Sequence, residues 1–257
     1  MSFISPTEKE VEDIANGMIA LGVFTFVLLH FENAPFGKHA PDQFSKYGPL
    51  LNARICWFVM ECPNVVNVLR RRDCYQTGTW KNLILLTLFC LHYINRSIIY
   101  PYRMSSHSRP MPLANMLCAF FFCSLNGFLQ VESLCLPETK SQSGLQFYSG
   151  IAIFIGGMYI NYQSDEALRN LKMQHKKYCI PKGMLFEYVS CPNFLGEIIE
   201  WFGFAIASGS RASFAFAFYT VCNLIPRANA HHNWYRSTFS DYPLYRNALF
   251  PPISLRL

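Results

Sequence analysis

Apolar residues come in blocks along this chain. Residues 14–31, 51–69, 83–100, 112–131, 145–163, 193–208 and 212–226 are long or fairly long runs with few charges. Breakers lie between several of them: "APFGKHAPDQ", "RRDCYQTGT", "PYRMSSHSRPMP", "LPETKSQSG" and "IPKGM". A helix needs about 20 mostly apolar residues to cross a bilayer, and several runs approach that length. The pattern predicts an all-α, polytopic membrane protein with seven transmembrane helices, one domain over 1–257. Two stretches read as soluble, 164–192 and the tail from Arg227. No repeat or low-complexity segment interrupts the pattern.

Composition sharpens this picture. The chain is 51% hydrophobic, 16% aromatic and 15% charged, against about a quarter charged in soluble domains. Mean hydropathy is only +0.14, low for a lipid-soaked bundle, so polar residues are expected to face an interior cavity. The alternative is a very apolar soluble α protein. The opening "MSFISPTEKEVED" is acidic and lacks the basic start of a signal peptide, so the first run reads as a retained span. Ten cysteines are scattered with no CxxC pair, which excludes zinc-finger and thioredoxin-like readings. They read as small hydrophobes in a reduced, cytosol-facing context.

Charge sets an orientation. The side of the N-terminus holds Lys9, Arg70, Arg71, Arg72, Lys81, Lys140 and Arg211, seven against thirteen on the other side. Lysine and arginine favour the cytosol, so the C-terminal side is expected there, although the Arg70–Arg72 run opposes it. The basic face also suits an anionic phosphate ligand.

Ionisable residues inside spans are costly and mark functional positions. Asn193, Glu197 and Glu200 follow i, i+4, i+7 on one helix face. They could line a ligand cavity, or pair with arginines to lock helix packing. Glu61 shares its run with Arg54, a possible ion-pair partner. His92, Tyr93, Asn95, Arg96 and Tyr100 crowd a span end, as a site or as interface anchors. Arg227, His231 and Tyr235 recur at i, i+4, i+8, and Asn161, Asp165 and Arg169 do the same, with Lys172 three further on. Two such stripes could grip a phosphorylated cofactor, or be solvated amphipathic faces. The chain has no GxGxxG, GxxxxGK[ST] or GxSxG motif and too few histidines for di-iron boxes.

Taken together these blocks resemble the steroid 5α-reductases. The resemblance covers most of the chain: "GKH" at 37–39, "CWFVMECP", "LFCLHYINRSIIYP", "SRPMP", "LNGFLQ", "GMYINYQSDEALRNL", "YCIPKGMLFEYVSCPNFLGEIIEW", "AFAFYTVCNLIPRANAHHNWY" and "DYPLYRNALFP". It implies a seven-helix membrane bundle with a cytosolic-side cofactor cavity, the catalytic region being about 112–257. It implies NADPH as cofactor and 3-oxo-4-ene steroids as substrates that enter from lipid. It implies the endoplasmic reticulum, which with the charge count makes the N-terminus lumenal. A monomer with no nucleic-acid partner is expected. Carried onto matching positions, it makes Glu61 and Tyr93 catalytic at the steroid 3-ketone. Arg96, Tyr100, Arg109, Asn161, Asp165, Arg169, Lys172, Tyr178, Asn193, Glu197, Arg227, His231 and Tyr235 fall at the cofactor, and Trp57, Phe194 and Trp201 at the substrate.

The chain departs from the family at "LKMQHKKYCIPKGM", where Lys172 stands in an arginine place, Cys179 replaces a basic residue and Met184 replaces a glycine. Lysine lacks the planar, bidentate phosphate grip of arginine, which bears on the preference for NADPH over NADH. Lys176, Lys177 and Lys182 could compensate. Alternatives are a reductase of enoyl thioesters or polyprenol-like lipids, a cofactor-free sterol-binding protein, and a membrane methyltransferase using S-adenosylmethionine.

Overall fold

The structure, a computed structural model, describes residues 5–40, 46–74, 78–106, 108–136 and 143–251. Among them helices dominate. They are α1 (Glu8–Phe31), α2 (Ala53–Arg70), α3 (Trp80–Ile94), the short α4 (Tyr100–Arg103), α5 (Leu113–Cys135), α6 (Gly144–His175), α7 (Pro192–Ser208) and α8 (Arg211–Thr238). A two-stranded ribbon joins β1 (Leu50–Leu51) to β2 (Met111–Pro112), with Leu50 opposite Pro112. Among the described residues three helical segments are long and apolar enough to cross a membrane: Glu8–Phe31, Trp80–Arg103 and Leu113–Cys135.

Local sequence explains the helix starts. Thr7 and Glu10 form a reciprocal capping box on α1. Asn52, Thr79, Ser143 and Ser210 accept from first-turn amides of α2, α3, α6 and α8. Pro63 lies inside α2 and has no N–H to offer the carbonyl of Val59, which accepts the Cys62 thiol instead at 3.4 Å. After α3 the backbone widens into a π turn over Asn95–Ile99. Such turns re-aim side chains and recur at functional sites.

Packing is closest between α6 and α7. Gly150 and Gly157 on one helix, and Gly196 and Gly203 on the other, are each seven residues apart. A Cβ on Gly157 would sit 2.2 Å from the Glu200 nitrogen, and one on Gly203 2.3 Å from the Phe154 nitrogen. The two backbones touch along this seam. Around it lies the main core, with Phe89, Phe154, Trp201 and Phe204 fully buried. Helix α1 packs on α8, and α2 on α5.

The expected helices are present, but two run further than expected. α6 continues to His175 through "SDEALRNLKMQH", which is mostly good helix formers, and so takes the first part of the stretch read as soluble. Its 32 residues reach about 48 Å, well beyond a hydrocarbon core of about 30 Å. α8 continues through Pro226 to Thr238, absorbing the start of the tail. The cysteine reading is corrected at one pair: Cys74 and Cys135, 61 residues apart, form a disulfide. No spacing motif announces a pair that only folding brings together. Beside it Glu132 is buried between Arg70 and Arg71, so the α2–α3 connection is tied to the end of α5. Lys140 and Arg256, used in the charge count, lie outside the described residues, as do residues 41–43, 75–77, 107 and 137–142 within four of the breakers.

Candidate active site

The site grows from one end of the bundle, where α2, α3, α5, α6 and α7 converge. Tyr93 is buried near the end of α3. Its hydroxyl accepts from Asn126 Nδ2 of α5 at 3.1 Å. One turn away on α5, the Cys123 thiol donates to Glu61 Oε2 at 3.5 Å. Asn126 and Cys123 thus bridge a phenol from α3 and a half-buried carboxyl from α2. Glu61 is not paired with Arg54, whose guanidinium donates to the Met104 carbonyl at 2.5 Å.

Arg96, delivered by the π turn, is the hub of the next layer. It donates to Asp165 at 3.1 Å and lies 3.7 Å from Glu197. Its guanidinium covers the rings of Trp57 at 4.8 Å and Tyr100 at 5.0 Å. Asn193 donates to Asp165 at 3.1 Å, and Asn161 donates to the Asn193 carbonyl at 2.9 Å and to Glu197 at 3.5 Å. The α6–α7 glycine seam is what lets Asn161 reach the α7 backbone: a Cβ on Gly196 would lie 2.5 Å from the Asn161 nitrogen.

A third layer surrounds the start of α7 and the C-terminal half of α8. Arg227 lies over Phe194 at 5.1 Å and over Phe36 at 4.6 Å. His231 packs on Phe194 and on His39, with ring centroids 5.5 and 5.1 Å apart. Lys38 Nζ sits 3.9 Å from the Tyr235 ring centroid and 4.9 Å from that of Trp234. Tyr178 packs edge-on to Trp234 under Lys172, and Arg109 donates to the Ala40 carbonyl at 2.9 Å. Burial pulls the Lys38 ammonium down to about 8, lowers the His39 imidazole and raises the Tyr178 phenol. Two buried nitrogens here, His39 Nε2 and His231 Nδ1, have no hydrogen-bond partner among the described residues. Orphaned polar atoms beside cations and flat rings suit a phosphorylated, aromatic ligand.

Not every expected residue joins. Arg169 turns to Glu166, which also takes Arg103 at 2.5 Å, so both arginines sit in a separate ion cluster. Trp201 is fully buried and stacks behind Tyr93 at 5.9 Å, where it fixes the tyrosine's back face. Glu200 leaves its neighbours' cluster and takes His92 Nδ1 at 2.7 Å in the core. Asn126, Cys123, Lys38 and His39 escaped the sequence reading as site residues. The "GKH" block flagged the last two without a role, and Gly37 shows why the turn forms there, since it adopts φ +61°.

The arrangement defines a class: a helical protein with helices apolar enough to cross a membrane, holding a buried phenol and a half-buried carboxyl bridged by α5 beside a cluster of cations and flat rings. Comparison with known proteins makes this specific. A family profile described as 3-oxo-5-alpha-steroid 4-dehydrogenase matches residues 109–254. The chain is 40% identical over 243 residues to 3-oxo-5-alpha-steroid 4-dehydrogenase 1 of Bos taurus, covering 90% of this chain and 92% of that protein. It is 39% identical over 246 residues to Steroid 5-alpha-reductase DET2 of Arabidopsis thaliana, covering 91% and 93%. It is 37% identical over 251 residues to 3-oxo-5-alpha-steroid 4-dehydrogenase 1 of Homo sapiens, covering 95% of each chain. The chain belongs to the 3-oxo-5-alpha-steroid 4-dehydrogenase family.

Proposed function

We propose that the chain is an NADPH-dependent reductase of the 4,5 double bond of 3-oxo-4-ene steroids, giving 5α-reduced products. One observation carries the reading beyond family membership: α5 bridges the Tyr93 phenol and the Glu61 carboxyl beside the Arg96 network. When bound, the cofactor supplies a hydride to C5 of the enone. Negative charge then develops on the 3-oxygen. Tyr93, with Asn126 donating to its hydroxyl oxygen, has its own O–H free to donate there. Glu61 lies on the facing helix as a second donor when protonated. A donor aimed at developing charge contributes about 3–4 kcal/mol. A proton at C4 completes the reduction.

The remaining site residues take cofactor roles in this reading. Asn161, Asp165, Asn193 and Glu197 hold the nicotinamide amide and its surroundings, with Arg96 fixing both carboxylates. Arg227, His231, Tyr235, Tyr178, Lys172 and Arg109 hold the phosphates and adenosine, joined by Lys38 and His39. Arg169 reaches the cofactor only by exchanging Glu166 for it. Trp57 and Phe194 wall the substrate, Tyr100 supports Arg96, and Trp201 supports Tyr93. Seven spans enclose the cavity: α1, α2, α3, α5, α6, α7 and α8. The N-terminus is lumenal in the endoplasmic reticulum, and the protein is a monomer. The Cys74–Cys135 disulfide supports that orientation, because disulfides persist in oxidising compartments and this one lies at the α1 start end of the bundle.

The test is NADPH oxidation by detergent-solubilised protein with progesterone or testosterone, products read by mass spectrometry. A gain of two hydrogens with 5α stereochemistry supports the reading. Cofactor binding without steroid turnover, alongside turnover of an enoyl or polyprenyl lipid, refutes the substrate assignment. Normal steroid turnover by both Tyr93→Phe and Glu61→Gln refutes the mechanism.

A further inference from the structure

At the end of the bundle opposite the candidate active site lies a cleft of about 630 Å³. It is formed where α1 and α8 begin and α5 and α7 end. Its volume is that of a site for a small organic ligand, and its lining is divided by chemistry. Val11, Leu136, Phe202, Ala205, Ile206 and Phe214 give it an apolar wall. Phe202, Ile206 and Phe214 are also exposed on the flank of the bundle, so this wall continues into the lipid-facing surface.

The polar wall carries both signs of charge. Glu8 and Glu12 lie one turn apart on α1, and Arg211 opens α8. Arg211 donates through Nε to Asn16 Oδ1 at 2.7 Å, and among the described residues it meets no carboxylate. Neither glutamate has a cationic partner among them either. Charges of opposite sign thus share one cleft without pairing with each other. The start of α8 adds a positive pole beside Arg211.

We propose that this cleft is a binding site for a zwitterionic glycerophospholipid with an ethanolamine headgroup. The phosphate meets the Arg211 guanidinium and the α8 start. The primary ammonium, with three N–H donors, meets Glu8 and Glu12, and the acyl chains leave over Phe202, Ile206 and Phe214. Choline offers the carboxylates no N–H donor, and phosphatidylglycerol, anionic through its phosphate, offers them hydroxyls but no positive charge. Ethanolamine answers all three charges. The site is separate from the proposed reductase centre, so its test does not depend on the reductase reading.

The experiment is native mass spectrometry of delipidated full-length protein titrated with phosphatidylethanolamine, phosphatidylcholine or phosphatidylglycerol of matched chains. The ethanolamine lipid is expected to bind at least about tenfold tighter than either other lipid, a difference of about 1.4 kcal/mol. Arg211→Gln and the double variant Glu8→Gln/Glu12→Gln each remove that preference, and Arg211→Lys keeps it. Both glutamates are exposed, so the double variant carries the test if Arg211→Gln fails to fold. Equal binding of the three lipids, tighter binding of phosphatidylglycerol, or an unchanged preference in the double variant overturns the proposal.

Discussion

Gly156 and Gly157 are neighbours on α6 with opposite surroundings. A Cβ on Gly156 meets nothing within 4 Å, whereas one on Gly157 would lie 2.2 Å from the Glu200 nitrogen, 2.6 Å from the Gly196 oxygen and 2.7 Å from the Glu200 Cα. All three are backbone atoms, so no side chain can swing away. Relieving the contact requires α6 and α7 to separate by about 1 Å or more, because carbon atoms pack at about 3.5–4.0 Å. Overpacking of this kind costs about 1–3 kcal/mol. Gly156→Ala instead gains up to about 1 kcal/mol from helix propensity. The same displacement would pull Asn161 from the Asn193 carbonyl it reaches at 2.9 Å, and a misplacement of about 1 Å can cost about 10²-fold in rate. Thermal melting of the two purified variants, followed by NADPH-dependent steroid turnover, makes the comparison. Gly157→Ala should melt well below wild type with turnover reduced about 10²-fold, and Gly156→Ala should match or exceed wild type in both. If the two variants behave alike, the backbone seam does not position the site.

Further outcomes follow from the same geometry. Tyr93→Phe should lower steroid turnover by about 10²–10³ while NADPH still binds, and Asn126→Leu should lower it less; equilibrium binding and single-turnover rates separate the two effects. Arg96→Lys keeps the charge but loses the planar contact with Trp57 and Tyr100, so cofactor affinity should drop by about tenfold or more, read by fluorescence titration. Lys38 has its pKa lowered to about 8, below the unfolded value of about 10.4. Carrying that charge therefore costs stability below pH 8, and stability should rise between about pH 8 and 10. Cofactor binding runs the other way: if a phosphate holds Lys38 protonated, affinity falls up to about tenfold per pH unit above 8, and Lys38→Met flattens the profile. Reducing the disulfide, or Cys135→Ser, should lower the melting temperature; closing a loop of 61 residues corresponds to at most about 4 kcal/mol.

Periodicity and composition alone determined that the chain is a set of apolar helices, because each span is a local property of about 20 residues. The stripes Asn193–Glu197 and Arg227–His231–Tyr235 were also legible, since a helix places i and i+4 on one face wherever it packs. What the stripes meet was not legible. The same spacing put Glu200 beside Asn193 and Glu197, yet it pairs with His92, because a residue three positions past Glu197 turns toward a different neighbouring helix. Arg169 shares a periodic stripe with Asp165, yet Glu166 and Arg103 claim it. Helix ends were misread where polar residues prolong α6 and α8 beyond the apolar runs, helix-favouring ones in α6 and packed aromatic and basic ones in α8. The Cys74–Cys135 bond, the Asn126–Tyr93 and Cys123–Glu61 contacts and the Lys38–Tyr235 stack join residues dozens of positions apart or more. No local pattern encodes such contacts; they follow from the crossing of helices whose separation is fixed by glycines and core aromatics. The sequence thus determined which groups the site could contain, and the tertiary packing decided which of them face one another.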